Sequence, residues 1–481
     1  MSDGSGGDAG QLVARLADRA VSVSDVVTEM ETAVSAAQHL NALSGYDAER
    51  ARRIAVSFSD PSDAGPLSGL PLLVKDAIDT ADLATTGGTP ALAGRRPPAH
   101  APAVQRLVAA GAWVAAKTTM HELSFGITSN NAWTGPARNP YQPDLIAGGS
   151  SGGAAAAVAA GIATVSLAAD TGGSARLPAA LCGVVGFRPT HGRYPGAGVV
   201  PISHTRDTIG VMARSVSDVA LIDAVLAAER GADTETPAPR GVRLGVPAQF
   251  WRDLDSGVTT VARAALDHLS DAGVVLVEVD IGGVLELNAA VGFPVCFYEF
   301  PRDLAGYLSA AGYELTVDDI RRAVASPDVA GVWDLLAGDG AVSEPQYGEA
   351  LDARRRLQVE YAAVLTRNQL SALVFPTAPL SARPIGDDDT VELNGTRQPT
   401  FGTYIRNTDL AGNAGHPGIS IPAGLAPNAL PVGIELDGAL GDDVTVLALA
   451  ATVERVLPAT PSPVLSRSPF PGGHHVAAAS H

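Results

Sequence analysis

The chain has 481 residues, of which 46% are hydrophobic and 17% charged, a composition typical of a folded protein with a large buried core. Its formal net charge of -18 and the lack of a basic block argue against a nucleic-acid-binding surface. Two cysteines, Cys182 and Cys296, are too few for a disulfide framework or a four-thiolate metal site, so we expect reduced, buried thiols.

The N-terminal part of the chain predicts helices. Apolar side chains recur at helical spacing within residues 9–39, and Ser22 followed by Asp25 forms a start similar to a capping box. We therefore expect residues 1–60 to form an N-terminal helical region.

Residues 61–460 predict an α/β domain, because short apolar runs alternate with glycine-rich turns and helices. The predicted strands are residues 70–74, 113–116, 163–169, 242–246, 274–279 and 372–375, with a further return to the sheet within 418–438. The predicted helices are residues 102–110, 153–160, 259–270 and 443–456. Residues from about 285 to 370 lack strand alternation and predict a helical insertion that covers a cleft. The tail at 461–481 is rich in Pro, Ser and Ala and is predicted to be disordered.

Lysine is scarce, because only Lys75 and Lys117 occur and the other basic residues are arginine. A guanidinium stays protonated in a protein, whereas an ammonium taken out of water can lose its proton and act as a base. Lys75 ends an apolar run, where burial would favour the neutral amine. A GC-rich genome would produce the same asymmetry, so composition alone leaves both interpretations open.

Two glycine-serine turns give the densest chemical signal. Residues 148–153 have the sequence Gly-Gly-Ser-Ser-Gly-Gly, and residues 170–176 have Asp-Thr-Gly-Gly-Ser-Ala-Arg. Glycines let the main chain approach a ligand closely, as a nucleophile beside an oxyanion hole requires. A phosphate-binding loop is disfavoured, since neither turn carries a lysine. Residues 148–152 also match the Gly-x-Ser-x-Gly nucleophile elbow of α/β-hydrolases, an alternative that the motif alone leaves open.

Together with Val74-Lys75-Asp76 and the segment 181–190, these turns resemble the amidase signature family, most strongly over residues 69–217. The resemblance implies an α/β fold of the amidase signature type, with a large mixed β-sheet covered by helices on both sides. It also implies a Ser-cisSer-Lys triad for amide hydrolysis. Ser174 would attack the amide carbon, Ser150 would relay the proton and Lys75 would be the base.

The resemblance assigns further roles around the triad. The oxyanion hole would be formed by the backbone N–H groups of Thr171, Gly172, Gly173 and Ser174. Ser151, Asp170 and Arg176 would support the turns. Lys117 is expected to be structural, with its ammonium bonded to backbone carbonyls.

Residues 120–126 and 128–131 resemble the members that hydrolyse arylacetamide-type primary amides, such as indoleacetamide and mandelamide hydrolases. The implied substrate is a primary aryl(acet)amide, cleaved to the carboxylate and ammonia through a serine acyl-enzyme. The candidate acyl-pocket residues are Leu123, Ser124, Phe125, Trp133 and Tyr298. Core packing is an equal alternative for the last two.

Other functions remain as alternatives. One is a carbamoyl or ureido amide hydrolase of the biuret or allophanate type, and another is a glutamine amidotransferase A-type subunit. The second fits less well, because residues 401–408 lack the acid with which that branch would hold the amino group of glutamine. A non-enzymatic scaffold is disfavoured because all three triad residues are present.

Few partners are expected beyond a small-molecule amide. We predict no cofactor and no metal, since His474 and His475 lack partner ligands at metal spacing. The polar, acidic N-terminus and the lack of a run of about 18 apolar residues predict a cytoplasmic protein without a membrane span. The resemblance implies a homodimer.

Overall fold

The computed structural model describes residues 8–58, 65–228 and 236–465, so most of the predicted disordered tail lies outside the described residues. Numbered along the chain, the strands are β1 (Leu43–Tyr46), β2 (Pro71–Lys75), β3 (Trp113–Thr118), β4 (Val165–Asp170), β5 (Val185–Arg188), β6 (Thr208–Ala213), β7 (Arg243–Pro247), β8 (Val275–Val279), β9 (Ala372–Pro376), β10 (Thr390–Leu393), β11 (Thr396–Pro399), β12 (Gly418–Leu425) and β13 (Pro431–Asp437). Eleven of these strands form one sheet in the order β1-β3-β2-β4-β6-β5-β12-β13-β9-β7-β8, while β10 and β11 form a separate pair.

Helices cover this sheet. They are α1 (Ala9–Ala17), α2 (Val23–Ala36), α3 (Ala48–Ser57), α4 (Pro102–Ala109), α5 (Gly152–Ala159), α6 (Arg176–Cys182), α7 (Val216–Leu226), α8 (Ser256–Asp271), α9 (Gly282–Ala289), α10 (Gly292–Ala310), α11 (Val317–Ala323), α12 (Pro327–Ala337), α13 (Glu344–Arg367), α14 (Thr400–Ile405), α15 (Asp409–Ala414) and α16 (Asp443–Val456). The predicted mixed α/β fold is confirmed. None of the helices in the described part of the chain is both long and apolar enough to cross a membrane.

The middle of the sheet is buried on both faces, as its uninterrupted apolar runs predict. All residues of β2 and β3 are buried, and β2 pairs in parallel with both β3 and β4. Because parallel neighbours end on the same side, the carboxyl ends of these three strands lie at one edge of the sheet. Whatever follows these strands is therefore brought together there.

The predicted N-terminal helical region contains three α-helices, α1 to α3, but β1 lies between α2 and α3 and joins the sheet beside β3. The chain turns after α1, and α2 begins with the capping box between Ser22 and Asp25. Arg19 has a positive φ of 56°, a left-handed conformation that ends α1 and separates the two helices.

The helices α9 to α13 occupy the region predicted as a helical insertion, and part of it covers the carboxyl edge. Phe300, Leu304 and Trp333 pack in one apolar cluster with Met120 and Leu123, which follow β3. Next to them, the buried carboxylate of Glu122 accepts hydrogen bonds from the two N–H groups that precede α12, at 3.1 and 2.7 Å. These contacts fix α12 over the edge where β2, β3 and β4 end.

Candidate active site

Three of the predicted residues lie at the carboxyl edge of the parallel strands. Lys75 is the last residue of β2, and Ser174 lies in the turn between β4 and α6. Ser150 lies in the turn before α5, and its Oγ accepts a 2.7 Å hydrogen bond from Lys75 Nζ. The structure therefore brings Lys75 and Ser150 into direct contact and places Ser174 after the neighbouring strand.

The surroundings of Lys75 favour its neutral form. The side chain is fully buried, and burial lowers the pKa of the ammonium from 10.5 to about 7, although the charges of Asp170 and Asp207 raise it. A neutral amine can accept a proton and a hydroxyl can both donate and accept one. At neutral pH the Lys75–Ser150 pair can therefore take up a proton from a third group.

Backbone contacts fix the turn at Ser150. The peptide bond between Gly149 and Ser150 is cis, and the Ser150 carbonyl accepts a 3.0 Å hydrogen bond from the N–H of His121. A Cβ at Gly149 would lie 2.8 Å from the backbone of a neighbouring loop, so only glycine fits there. Ser151 Oγ donates to the carbonyl of Ala169 at 3.2 Å, which ties this turn to β4.

Asp170 organises the second glycine-serine turn. Its carboxylate accepts hydrogen bonds from the N–H groups of Gly173 and Ala175, both at 3.0 Å. It also pairs with Arg176 and Arg188, each at 2.9 Å. Two guanidinium groups hold the pKa of this buried carboxyl well below its usual range, against the opposite effect of burial. The turn is thus held in shape by a permanent anion.

The structure revises the prediction for Gly173. Its N–H already donates to Asp170, so it does not offer a hydrogen bond to a ligand in the way predicted. Glycine is required there for another reason: φ is +132°, and a Cβ would lie 2.2 Å from Thr408 Oγ1. The N–H groups in this turn that make no hydrogen bond with a described residue belong to Thr171, Gly172 and Ser174.

Lys117 has three oxygen partners. Its Nζ donates to the Ile78 carbonyl at 2.6 Å and to Thr85 Oγ1 at 2.7 Å, and lies 3.6 Å from Asp76 Oδ1. The side chain is buried on β3, and its partners all belong to the segment that follows β2. Such contacts connect β3 to that segment, in agreement with a structural role.

A cavity of about 620 Å³ opens beside Ser174. Of the predicted residues, those that line it are Ser174, Thr171, Gly172, Ser124 and Phe125. Lys75 and Ser150 are fully buried. The candidate nucleophile is therefore in reach of a ligand, while the pair proposed to activate it is closed off from solvent.

Leu123, Trp133 and Tyr298 do not line this cavity. Positive φ angles at Leu123 and the next residue turn the chain, so the Leu123 side chain packs into the core instead. Trp133 is 39% exposed elsewhere on the surface. Tyr298 stacks on Tyr347 with ring centroids 4.1 Å apart, and the Arg302 guanidinium lies 3.7 Å from its ring. The structure thus does not support these three as pocket residues.

The apolar lining comes mainly from residues that sequence reasoning missed. They are Phe293 and Phe297 on α10, Val332 and Leu335 on α12, and Phe401 and Ile405 on α14. Phe293, Leu335 and Phe401 are 58%, 50% and 39% exposed, unusually high values for such large apolar side chains. These helices lie more than a hundred residues from the signature motifs, so only the three-dimensional fold connects them. The two phenylalanines at 293 and 297 were the one signal in the sequence that could have indicated an aromatic lining.

The charged lining of the cavity is mostly acidic. Its carboxylates belong to Asp328, Asp388, Asp389 and Asp409. Arg206 is the one arginine among the described residues that line the cavity, and its guanidinium is paired with Asp409 at 2.6 Å. His121 Nε2 lies 2.8 Å from Asp328 Oδ2. Hence the described lining offers no unpaired cation for a carboxylate ligand.

One group of side chains in the described residues has the composition of a metal site, but it lies away from this cavity. It consists of His204, Glu299 and Asp303. Glu299 accepts hydrogen bonds from three neighbouring hydroxyl groups, and His204 Nδ1 lies 3.0 Å from Asp303 Oδ1. Their ligand atoms already have partners within the protein.

Comparison with known proteins agrees with this geometry. The family model described as Amidase matches residues 25–447. The chain belongs to the amidase family. It is 43% identical to an indoleacetamide hydrolase of Rhizobium radiobacter, over 90% of this chain and 93% of that protein. It is 39% identical to a mandelamide hydrolase of Pseudomonas putida, over 89% and 87%. A crystal structure of an amidase superimposes with a TM-score of 0.83 at 34% identity, covering 94% of this chain and all of the other.

Membership in this family makes the chain an enzyme that hydrolyses amide bonds of small molecules. The predicted family, fold and general activity are confirmed. The Gly-x-Ser-x-Gly match to α/β-hydrolases is coincidental, because the fold is that of the amidases.

Proposed function

We propose that the chain hydrolyses primary aryl(acet)amides to the carboxylate and ammonia through an acyl-enzyme on Ser174. The observation that carries this proposal is the 2.7 Å hydrogen bond from buried Lys75 to Ser150, next to a cavity that exposes Ser174. A base with a pKa of about 7 is matched to proton transfer at neutral pH.

In the acylation step, Lys75 takes the proton of Ser150 as Ser150 takes that of Ser174. The Ser174 oxygen then bonds to the amide carbon, and the carbon–nitrogen bond breaks after the proton returns through Ser150 to the leaving nitrogen. Ammonia departs. In the second step, a water molecule loses its proton along the same path and cleaves the ester, which releases the carboxylic acid and restores Ser174.

The developing oxyanion needs donors that are already in position. We assign this role to the N–H groups of Thr171, Gly172 and Ser174, with Gly173 giving the turn its shape. Loss of one such donor typically lowers the rate by about 10²–10³-fold. Asp170 and Arg176 act indirectly, because they hold the turn and lie beneath it.

The lining supports an aromatic acyl group. Phenylalanine rings from α10 and α14, together with Phe125, offer faces and edges to an aryl ring. The same cavity disfavours amides that carry a carboxylate, because the one lining arginine among the described residues, Arg206, is already paired with Asp409. Ile405 lies in the segment where an amidotransferase would hold the amino group of glutamine, and it is apolar. Similarity to indoleacetamide and mandelamide hydrolases supports the same class.

Ammonia release from a substrate panel tests the proposal. The panel contains phenylacetamide, indoleacetamide, mandelamide, acetamide, glutamine, biuret and allophanate, and the control protein is Ser174→Ala. We expect the three aryl amides to give the highest kcat/KM and the control to give no turnover. If biuret, allophanate or glutamine were the best substrate, the aryl assignment would be wrong while the triad could stand.

Two further proposals rest on the resemblance and on composition rather than on the site. We propose a homodimer in solution, which analytical ultracentrifugation tests directly. We also propose a cytoplasmic location, which fractionation of the source cells tests.

A further inference from the structure

A buried row of charged groups lies under the turn that carries Ser174. Arg176 connects two acids: its guanidinium lies 2.9 Å from Asp170 Oδ1 on one side and 2.5 Å from Glu435 Oε1 on the other. All three side chains are fully buried. Asp437 is also fully buried, and it lies two residues further along β13, on the same face of the strand as Glu435.

The hydrogen-bond donors do not suffice for this row if every acid is ionised. Glu435 Oε2 and both carboxylate oxygens of Asp437 have no donor among the described residues. Two ionised carboxylates are acceptors only and cannot bond to each other. One proton on Asp437 supplies the donor for the contact between the two acids, because the carboxylic acid can then donate to Glu435 Oε2.

The balance of buried charge also favours a proton on Asp437. Arg176 and Arg188 carry two positive charges, and Asp170 and Glu435 neutralise them. An ionised Asp437 would add an uncompensated buried negative charge, which is costly. Burial and the neighbouring Glu435 raise the pKa of Asp437 well above its usual range, against the lowering effects of Arg176 and Arg188. Burial also raises the pKa of Glu435, but the Arg176 guanidinium in contact with its carboxylate favours the anion there, so the proton is assigned to Asp437.

We propose that Asp437 is protonated in the working enzyme and, by donating to Glu435, keeps that anion directed at Arg176, so that both acids are positioning residues for the nucleophile turn. The path runs from Asp437 through Glu435 and Arg176 to Asp170, which binds the N–H groups on either side of Ser174. The proposal rests on the proposed function only in taking Ser174 as the nucleophile.

The substitution Asp437→Asn tests the proton, because an amide resembles a protonated acid in shape and can donate in the same way. We expect its kcat and KM for phenylacetamide at neutral pH to stay within about threefold of wild type. Glu435→Gln removes the anion that Arg176 needs, and a displaced turn should lower kcat by about tenfold to a hundredfold with little change in KM. Asp218→Asn is the matched control, since this buried acid binds the start of α1 and should leave kcat unchanged.

A measurement without turnover makes the outcome independent of the catalytic assignment. The infrared difference spectrum of wild type minus Asp437→Asn should contain the carbonyl stretch of a buried carboxylic acid at neutral pH. Absence of that band, or a loss of more than about tenfold in kcat for folded Asp437→Asn, would overturn the proposal. If Glu435→Gln fails to fold, the band by itself still shows whether Asp437 is protonated.

Discussion

The substitution Lys75→Arg separates a general base from a structural cation. Arginine keeps the positive charge and much of the length, but its guanidinium stays protonated at every working pH. Burial lowers the pKa of Lys75 to about 7, so about half of the wild-type enzyme carries the neutral amine at that pH. Two pH units lower, only about 1% does. An ordinary lysine would reach the same half-way point only near its usual pKa of 10.5.

The assay is ammonia release from a saturating aryl amide across a pH series. Wild-type kcat should rise about tenfold per pH unit on the acid side and level off above about pH 7. Lys75→Arg and Lys75→Met should both lose about 10²–10⁴-fold at every pH. Substantial activity in Lys75→Arg, or a wild-type rate that keeps rising steeply to about pH 10, would refute the neutral-lysine mechanism.

The same pKa has a consequence for stability that needs no substrate. The unfolded chain keeps the Lys75 proton to a higher pH than the folded protein, so the unfolded state binds more protons between about pH 7 and 10.5. Wild-type stability should therefore rise with pH across that window, by a total of about 5 kcal/mol from this group. The free energy of unfolding of Lys75→Met should exceed that of wild type most at about pH 6, and the difference should disappear by about pH 10. Urea unfolding across this pH range measures the difference. A gain that does not vary with pH would mean that Lys75 is not the titrating group.

Three further outcomes are expected. Ser174→Ala should abolish turnover and acyl-enzyme trapping with the fold intact. Ser150→Ala should lose nearly as much activity, because the effects of residues that act as a unit are not additive. An acyl-enzyme detected in Ser174→Ala by mass spectrometry would show that another residue is the nucleophile. Phe293→Ala and Phe401→Ala should each weaken aryl amide binding by about 0.5–1.5 kcal/mol, seen as a higher KM, with no change for acetamide as the control substrate. Lys117→Arg should keep far more activity than Lys75→Arg, whereas Lys117→Met should lower the free energy of unfolding by about 3–5 kcal/mol in urea titrations, because it leaves Asp76 buried without its cation.

The sequence predicted well those features that depend on local pattern. Continuous apolar runs located β2, β3, β4 and β9 to within a few residues, and the capping residues located α2. The short strands β5 and β6 were missed. β5 has only four residues and pairs with the distant β12 as well as with β6, while β6 pairs with β4 and β5, so pairing outweighs local alternation in both strands.

The candidate site was predictable where one motif carries one role. Lys75, Ser150 and Ser174 are identified by glycine-rich or apolar neighbours that the chemistry itself requires. The cavity lining was not predictable, because Phe293, Phe401 and their neighbours come from α10, α12 and α14 and meet only in the folded chain. Gly173 illustrates a subtler limit. The motif identified this glycine, but the hydrogen bond from the Gly173 N–H to Asp170 depends on how the turn closes.

The unusual protonation of two residues has a single physical origin. Lys75 and Asp437 both lie in a fully buried region on the same sheet, where a charge without a partner is costly. Asp170, Glu435, Arg176 and Arg188 remain ionised there because each has an opposite charge at contact distance. Among the described residues, Lys75 has only the Ser150 hydroxyl within hydrogen-bond distance, because Asp170 is already paired with two arginines. The same set of ion pairs that fixes the nucleophile turn thus leaves Lys75 without a counter-ion, and this lack is what makes the amine available as a base.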